Sequence, residues 1–152
     1  MQEETLKIRK MEQGDPGRIC RLECSPFLTS WSLEAFEKAL RDPMGLNRVA
    51  EDRSGLIGYL TAFRVLDEAC LTNLFVVQRR RRRGVGKMLL NNLIERASIE
   101  GVKQLFLEVR KGNEPAIRLY EKMNFSTVSV RKGYYSDTSE DALVMRMPLA
   151  EH

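Results

Sequence analysis

The most restrictive stretch of this 152-residue chain runs from Leu74 to Ala97. Leu74-Phe75-Val76-Val77 is a short apolar run of the kind that forms a buried strand. Val85, Leu89, Leu93 and Ala97, with Met88 beside them, recur at the spacing of one helix face. Between them lies Gln78-Arg79-Arg80-Arg81-Arg82-Arg83-Gly84-Val85-Gly86-Lys87. Glycines at a strand-to-helix junction let the backbone turn inward without a Cβ in the way. The first turn of a helix adds unpaired N–H groups and a partial positive charge. The junction is therefore a predicted anion site, and it places a strand and a helix in succession near the middle of the chain.

The flanking pattern extends this arrangement. Leu6 and Ile8 alternate with charged residues and predict a first strand. Asp15-Pro16 is expected to open a helix with Asp15 as its N-cap. Ser32 is positioned to cap a second helix, with Leu33, Phe36 and Leu40 on one face and Asp42-Pro43 at its end. Leu46 to Glu51 and Leu56 to Leu66 form a predicted hairpin across Asp52-Arg53-Ser54-Gly55, and Ala69 to Val77 follows as a further strand. After the central helix ends near Gly101, Lys103 to Arg110 is strand-like and Asn113 to Met123 helical. Phe125 to Tyr135 and Ala142 to Leu149 make a closing strand pair. Strands that hairpin together and then alternate with helices predict a three-layer α/β fold with a mixed sheet, in one domain over residues 1–152. A chain of this length buries roughly 68–70% of its unfolded surface and needs no metal or disulfide to hold a core.

Composition narrows the chemistry. The chain has one histidine, His152, its last residue, so a Ser-His-Asp triad, a Cys-His pair or a His-bearing metal site has almost nothing to work with. The three cysteines, Cys20, Cys24 and Cys70, contain no CxxC pair, which favours a reducing compartment. No metal is expected, and the sequence assigns Cys70 no role beyond filler. Met1 to Lys10 mixes Glu3, Glu4, Lys7, Arg9 and Lys10 and does not read as a signal peptide. No apolar run approaches a membrane span, so a cytoplasmic location is expected. Any acid–base chemistry must fall to carboxylates, tyrosine or lysine.

The arginine-glycine junction fits neither of two common phosphate loops. A Walker A loop needs Ser or Thr after its lysine, and Met88 follows Lys87. A dinucleotide fingerprint needs a third glycine where Leu89 stands. Five arginines in a row also suit a solvated or RNA-binding patch, although the run lacks interleaved aromatics for stacking bases. Arg81-Arg82-Arg83-Gly84-Val85-Gly86 matches [QR]xxGxG and resembles the coenzyme-A pyrophosphate loop of the GNAT N-acetyltransferase superfamily, whose order of strands and helices is similar along the whole chain. The resemblance implies a centrally splayed sheet with acetyl-CoA as cosubstrate. Amides from Arg81 to Lys87, including those of Arg82, Arg83, Gly84, Val85 and Gly86, would cradle the pyrophosphate. The backbone of Leu74, Phe75 and Val76 would pair with the pantetheine arm and polarise the acetyl carbonyl, and the surplus arginines would reach the 3′-phosphate.

In Lys103-Gln104-Leu105-Phe106-Leu107-Glu108-Val109-Arg110, the residues Leu105, Leu107 and Val109 share one face, and Glu108 points to the other beside Phe106. So apolar a strand between two helices is expected to be covered on both faces. Burial there would raise the pKa of Glu108 toward a useful base, while an ion pair with Arg110 or another arginine is the competing reading. Tyr120 shares a helix face with Ala116 and Met123 and reads equally as a core tyrosine. The segment from Leu107 to Phe125 is similar to the LEVR..N..AI.LYE..GF segment of the bacterial ribosomal-protein alanine N-acetyltransferases, a branch of the same superfamily. That resemblance implies Glu108 as general base, directly or through a water, Tyr120 as general acid, and Asn113 as a coenzyme contact. Asn124 departs from the family's glycine, and Asn tolerates positive φ.

Two other segments resemble the same branch. Pro26 to Phe36 looks like its loop between the first two helices. Arg131-Lys132-Gly133-Tyr134-Tyr135 with Glu140-Asp141-Ala142 looks like its RR.YY....EDA hairpin. By resemblance, Phe27, Trp31, Tyr134 and Tyr135 wall a slot for a protein N-terminus, although each also suits ordinary packing. Asp137, Glu140 and Asp141 suggest attraction of a basic peptide tail, or plain solubility. The expected activity is transfer of acetyl from acetyl-CoA to the N-terminal alanine of a ribosomal protein. Small-amine or lysine acetylation is the near alternative, and a basic RNA- or ribosome-binding module using Arg79 to Arg83 is the distant one. Neither a membrane nor direct nucleic-acid contact is required.

Overall fold

The computed structural model describes residues 5–22 and 31–149, arranged as a seven-stranded mixed sheet with helices on both faces. The strands are β1 (Lys7–Lys10), β2 (Arg48–Asp52), β3 (Gly55–Val65), β4 (Glu68–Val76), β5 (Gln104–Arg110), β6 (Ser126–Tyr135) and β7 (Glu140–Pro148). The helices are α1 (Asp15–Cys20), α2 (Leu33–Arg41), α3 (Val85–Ile99) and α4 (Glu114–Lys122). The sheet order is β1-β2-β3-β4-β5-β7-β6, and only β4 and β5 run parallel. That parallel step follows from α3, which carries the chain from the end of β4 back to the start of β5.

Local chemistry accounts for most boundaries. Ser32 Oγ accepts from Ala35 N–H at 3.2 Å and caps α2, as its position predicts. Asn124 takes φ 72° at the turn into β6. Asp15 differs from the expectation. Gly14, in the left-handed region at φ 94°, is the N-cap of α1, and Asp15 lies just inside the helix. Its side chain is fully buried against Arg9 at 2.7 Å and Arg18 at 3.0 Å, and it accepts from Glu12 N–H at 2.8 Å. Two guanidiniums claim this carboxylate for the core, and a glycine next to it is free to adopt the cap geometry.

Phe36 of α2 packs edge-on against Tyr59 of β3, with ring centroids 5.5 Å apart, which places α1 and α2 over one face of the sheet. Leu89, Leu90, Leu93 and Ala97 of α3 are completely buried on the other face, where Leu119 of α4 approaches Gly86. Strand register carries Leu105, Leu107 and Val109 onto the α3 face and Phe106, Glu108 and Arg110 onto the α1–α2 face. The first set is buried, whereas Glu108 is exposed and its neighbours half-buried. The expected double coverage of β5 is thus corrected: Leu105, Leu107 and Val109 are buried, whereas on the opposite face Glu108 is exposed between the half-buried Phe106 and Arg110. Among the described residues, no helix is long and apolar enough to cross a membrane.

Candidate active site

The sheet opens between its two central strands. β4 pairs with β5 only over Glu68–Leu71 against Gln104–Leu107, while β4 continues beside β3 to Val76 and β5 continues beside β7 to Arg110. The β3–β4 register slips between Thr61 and Ala62, leaving Thr72 as a bulge at the point where the strands part. Beyond it, Val77 N–H bonds Ile57 O at 2.8 Å, so alternation turns the N–H and C=O groups of Phe75 to β3 and those of Leu74 and Val76 into the gap. Phe75 therefore departs from its expected role. Its polar backbone belongs to the β3 ladder, and its buried ring lies tilted against Tyr59 with centroids 5.6 Å apart.

The arginine-glycine loop leads out of this gap. After a 3-10 turn at Gln78–Arg80, Arg82 and Gly84 take left-handed φ of 64° and 82°, and α3 begins at Val85 with no side-chain cap. The first intrahelical bond runs from Met88 N–H to Gly84 O at 2.9 Å, so the amides of Val85, Gly86 and Lys87 precede it and are free for an anion. A Cβ on Gly86 would stand 3.4 Å from Leu119 Cδ2, so glycine lets the loop nestle against α4. Arg81 contributes otherwise than expected. Its amide donates to Gln78 O at 3.2 Å and its Nε to Val76 O at 2.8 Å, so it braces the loop instead of lending an N–H to it. Arg79 donates to Ser54 Oγ at 2.9 Å and Arg80 pairs with Asp52, which ties both to the β2–β3 turn. Arg82 and Arg83 remain exposed at the loop's outer edge.

Glu108 lies on the rim of the gap at the end of β5. It is one-third exposed and pairs with Arg131 of β6 at 3.1 Å, the ion pair that was the competing reading, though with a different arginine from the one beside it in sequence. The buried carboxylate that the sequence suggests is therefore absent. The charge of Glu108 is still felt nearby: together with burial it pushes the Cys70 thiol of β4 up, and it helps push Tyr135 up. Tyr120, on α4, is buried edge-on against Phe125 at 5.8 Å, and burial pushes its phenol up to about 12. It stays protonated at neutral pH, and its interaction with Tyr135 places the two rings in the same neighbourhood. Asn113 is the N-cap of α4, its Oδ1 accepting from Ala116 N–H at 3.3 Å; its amide nitrogen has no part in that cap.

The expected acceptor walls fall into two groups. Phe27 lies outside the described residues. Trp31 packs at 5.2 Å on Phe36 beside a cavity of about 520 Å³ that Ala35, Ala62, Phe63 and the bulged Thr72 also line. Tyr134 and Tyr135 meet edge to face at 5.1 Å on the β6–β7 hairpin, across from Glu108. The hairpin acids are engaged within the chain. Asp137 is gripped by Arg110, Glu140 accepts from Gly112 N–H at 2.6 Å, and Asp141 from Gly133 N–H at 2.9 Å. Sequence reasoning names Arg110 as a possible partner of Glu108 and Arg131 within the resembling hairpin, but it misses that Arg131 pairs with Glu108 and Arg110 with Asp137, since partners across a sheet depend on a register that spacing alone does not reveal. Among the described residues, no three His, Cys, Asp or Glu side chains gather closely enough to hold a metal.

Comparison with known proteins agrees with this architecture. The [ribosomal protein bS18]-alanine N-acetyltransferase of Haemophilus influenzae is 36% identical over 141 residues, covering 91% of this chain and 95% of its own. The crystal structure of the ribosomal-protein-S18-alanine N-acetyltransferase from Escherichia coli superposes with a TM-score of 0.87 at 31% identity, over 97% of this chain and 96% of that one. Arabidopsis thaliana NAA60 in complex with acetyl-CoA shares the fold alone, at 24% identity and a TM-score of 0.85 over 95% and 99% of the two chains. Residues 12–125, which span the gap, the glycine loop, Glu108 and Tyr120, match the acetyltransferase (GNAT) family, and the chain belongs to that family of N-acetyltransferases.

Proposed function

We propose that this acetyltransferase, as one domain over residues 1–152, uses acetyl-CoA to acetylate the N-terminal amine of a ribosomal protein, with alanine as the first residue, in the cytoplasm. The observation that carries the reading is the parting of β4 from β5 directly beside the unpaired amides of Val85, Gly86 and Lys87. A diphosphate suits three converging N–H groups at a helix start, with Arg82 and Arg83 within reach of further phosphate. The gap-facing amides of Leu74 and Val76 and the carbonyl of Leu74 suit an extended amide-bearing arm, Val76 O being held by Arg81 Nε. The relatives named for acetylating the alanine of bS18 cover nearly the whole chain and support the choice of acceptor.

Acetyl-CoA supplies an activated acetyl group on a thiolate leaving group. The chain's own residues do the rest. An amine is mostly protonated at neutral pH and cannot attack, so a base must take its proton. Glu108 is that base, and it faces the open side of the sheet from which an acceptor enters. Its pair with Arg131 involves two exposed partners, an interaction worth about 0–1 kcal/mol, and an incoming ammonium displaces the guanidinium at little cost. N–H groups at the gap steady the charge that develops on the carbonyl oxygen. Tyr120, held neutral, returns a proton to sulfur as the carbon–sulfur bond breaks and the carbon–nitrogen bond forms.

The test is an incubation of the protein with acetyl-CoA and a synthetic peptide of the bS18 N-terminus beginning with alanine, read by thiol release and by fragment masses. The expected result is stoichiometric release with the acetyl group on the α-amine, and none with the same peptide blocked at its N-terminus. Acetyl on a lysine side chain, or release only with small amines, overturns the assignment in favour of the neighbouring acceptor class.

A further inference from the structure

The β6–β7 hairpin is locked to the end of β5 by a closed circuit of side chains. Glu108 pairs with Arg131 at 3.1 Å, and the Arg131 guanidinium lies 5.0 Å from the ring centroid of Tyr134. Tyr134 meets Tyr135 edge to face at 5.1 Å, and the Arg110 guanidinium stacks 3.9 Å over Tyr135. Arg110 stands two residues after Glu108 on the same face of β5, so the circuit ends on the strand where it began. Arg110 also forks onto Asp137, with Nη1 to Oδ1 and Nη2 to Oδ2 both at 3.0 Å, and lies 3.6 Å from Glu140. Glu140 in turn accepts from Gly112 N–H in the loop that leads into α4, the helix of Tyr120.

No step of the chemistry needs Arg110, yet it touches the hairpin through a planar stack and a two-toothed hydrogen bond together. Lysine can reproduce neither, being a point charge on a flexible stem. The geometry points to Arg110 as a positioning residue for the acceptor: through Tyr135 and Asp137 it sets where the Tyr134–Arg131 edge stands over Glu108, and so shapes the acceptor side of the site while leaving the donor side alone. This rests on the reading of Glu108 as the base. The hairpin acids then serve to build this wall, which accounts for their being engaged inside the chain.

The experiment compares Arg110→Lys, Asp137→Asn and the double variant, measuring KM and kcat for the bS18 peptide and the dissociation constant of acetyl-CoA by calorimetry. Arg110→Lys is expected to raise the peptide KM about five- to tenfold, with kcat within about threefold and acetyl-CoA affinity unchanged. Asp137→Asn, an exposed change that keeps shape, is expected to move KM in the same direction. The double variant should fall short of the product of the two effects, because both act through one contact. A peptide KM within twofold of wild type in Asp137→Asn, or parallel losses of acetyl-CoA and peptide affinity in a folded Arg110→Lys, overturns the proposal. Glu108→Gln in the same assay separates the two claims. Wild-type turnover there defeats the base assignment, whereas a dead Glu108→Gln beside an unaltered peptide KM in the Arg110 and Asp137 variants defeats only the positioning role.

Discussion

A carboxylate, Glu108 on β5, and a phenol, Tyr120 on α4, sit in different environments, one partly exposed and one buried. Glu108 is one-third exposed and paired with Arg131, whereas Tyr120 is buried and its phenol is pushed up to about 12, so it stays protonated at neutral pH. Glu108→Gln and Tyr120→Phe should each lower kcat by roughly 10²-fold, the ordinary scale of acid–base help, with acetyl-CoA binding retained. Stability adds a second reading of the same tyrosine. A folded pKa above the unfolded value of about 10 means that stability holds below that pH and is lost as the pH rises from about 10 toward 12. Tyr120→Phe should flatten this alkaline loss in a denaturation series, and an unchanged slope would show that the phenol is not confined. Both residues are singled out through the resemblance of the segment from Leu107 to Phe125, since their strand and helix patterns alone leave an ion-paired carboxylate and a core tyrosine open, and the exposure of Glu108 is not legible. An apolar run predicts a buried strand, and no periodicity reveals that one face of that strand leaves Glu108 exposed.

Elements place these residues through backbone geometry more than through side-chain contact. Gly84 sits at φ 82° with nothing near its missing Cβ, so its glycine is required by conformation and not by space. An L-residue there favours relaxing out of the left-handed region, at about 1 kcal/mol, and binding a diphosphate must restore the loop. Gly84→Ala should therefore raise the KM for acetyl-CoA by about fivefold, with the peptide KM unchanged. An unaltered acetyl-CoA KM would mean that the loop does not hold the donor. At this scale the chain was largely legible. The β2–β3 hairpin, the Ser32 cap and the α3 stripe all follow from local rules that tertiary packing did not override. The exceptions share a cause: Asp15 and Arg79 to Arg81 are charged groups whose local preferences, an N-cap and a solvated run, yielded to partners distant in sequence.

For the molecule as a whole, a net charge of +4 and five successive arginines invite comparison with a nucleic-acid binder. The fold uses those arginines differently. Arg79 and Arg80 fasten the loop to the β2–β3 turn and Arg81 braces it on Val76, which leaves Arg82 and Arg83 facing outward beside the free amides. A basic cluster spent largely on holding one loop in shape fits a small anionic ligand better than a polyanion. The mixed sheet, parted at its single parallel step, gives that ligand a place to extend from the loop toward Glu108. The splay itself could be anticipated only through resemblance, because nothing in the spacing of β4 and β5 announces where two strands stop pairing. The parted strands and the glycine loop are tested most directly by the amide signals of the labelled protein titrated with acetyl-CoA. The largest shifts are expected on Leu74, Val76, Val85, Gly86 and Lys87; shifts confined to the outer strands, or saturation with those five amides unmoved, would contradict a donor site there.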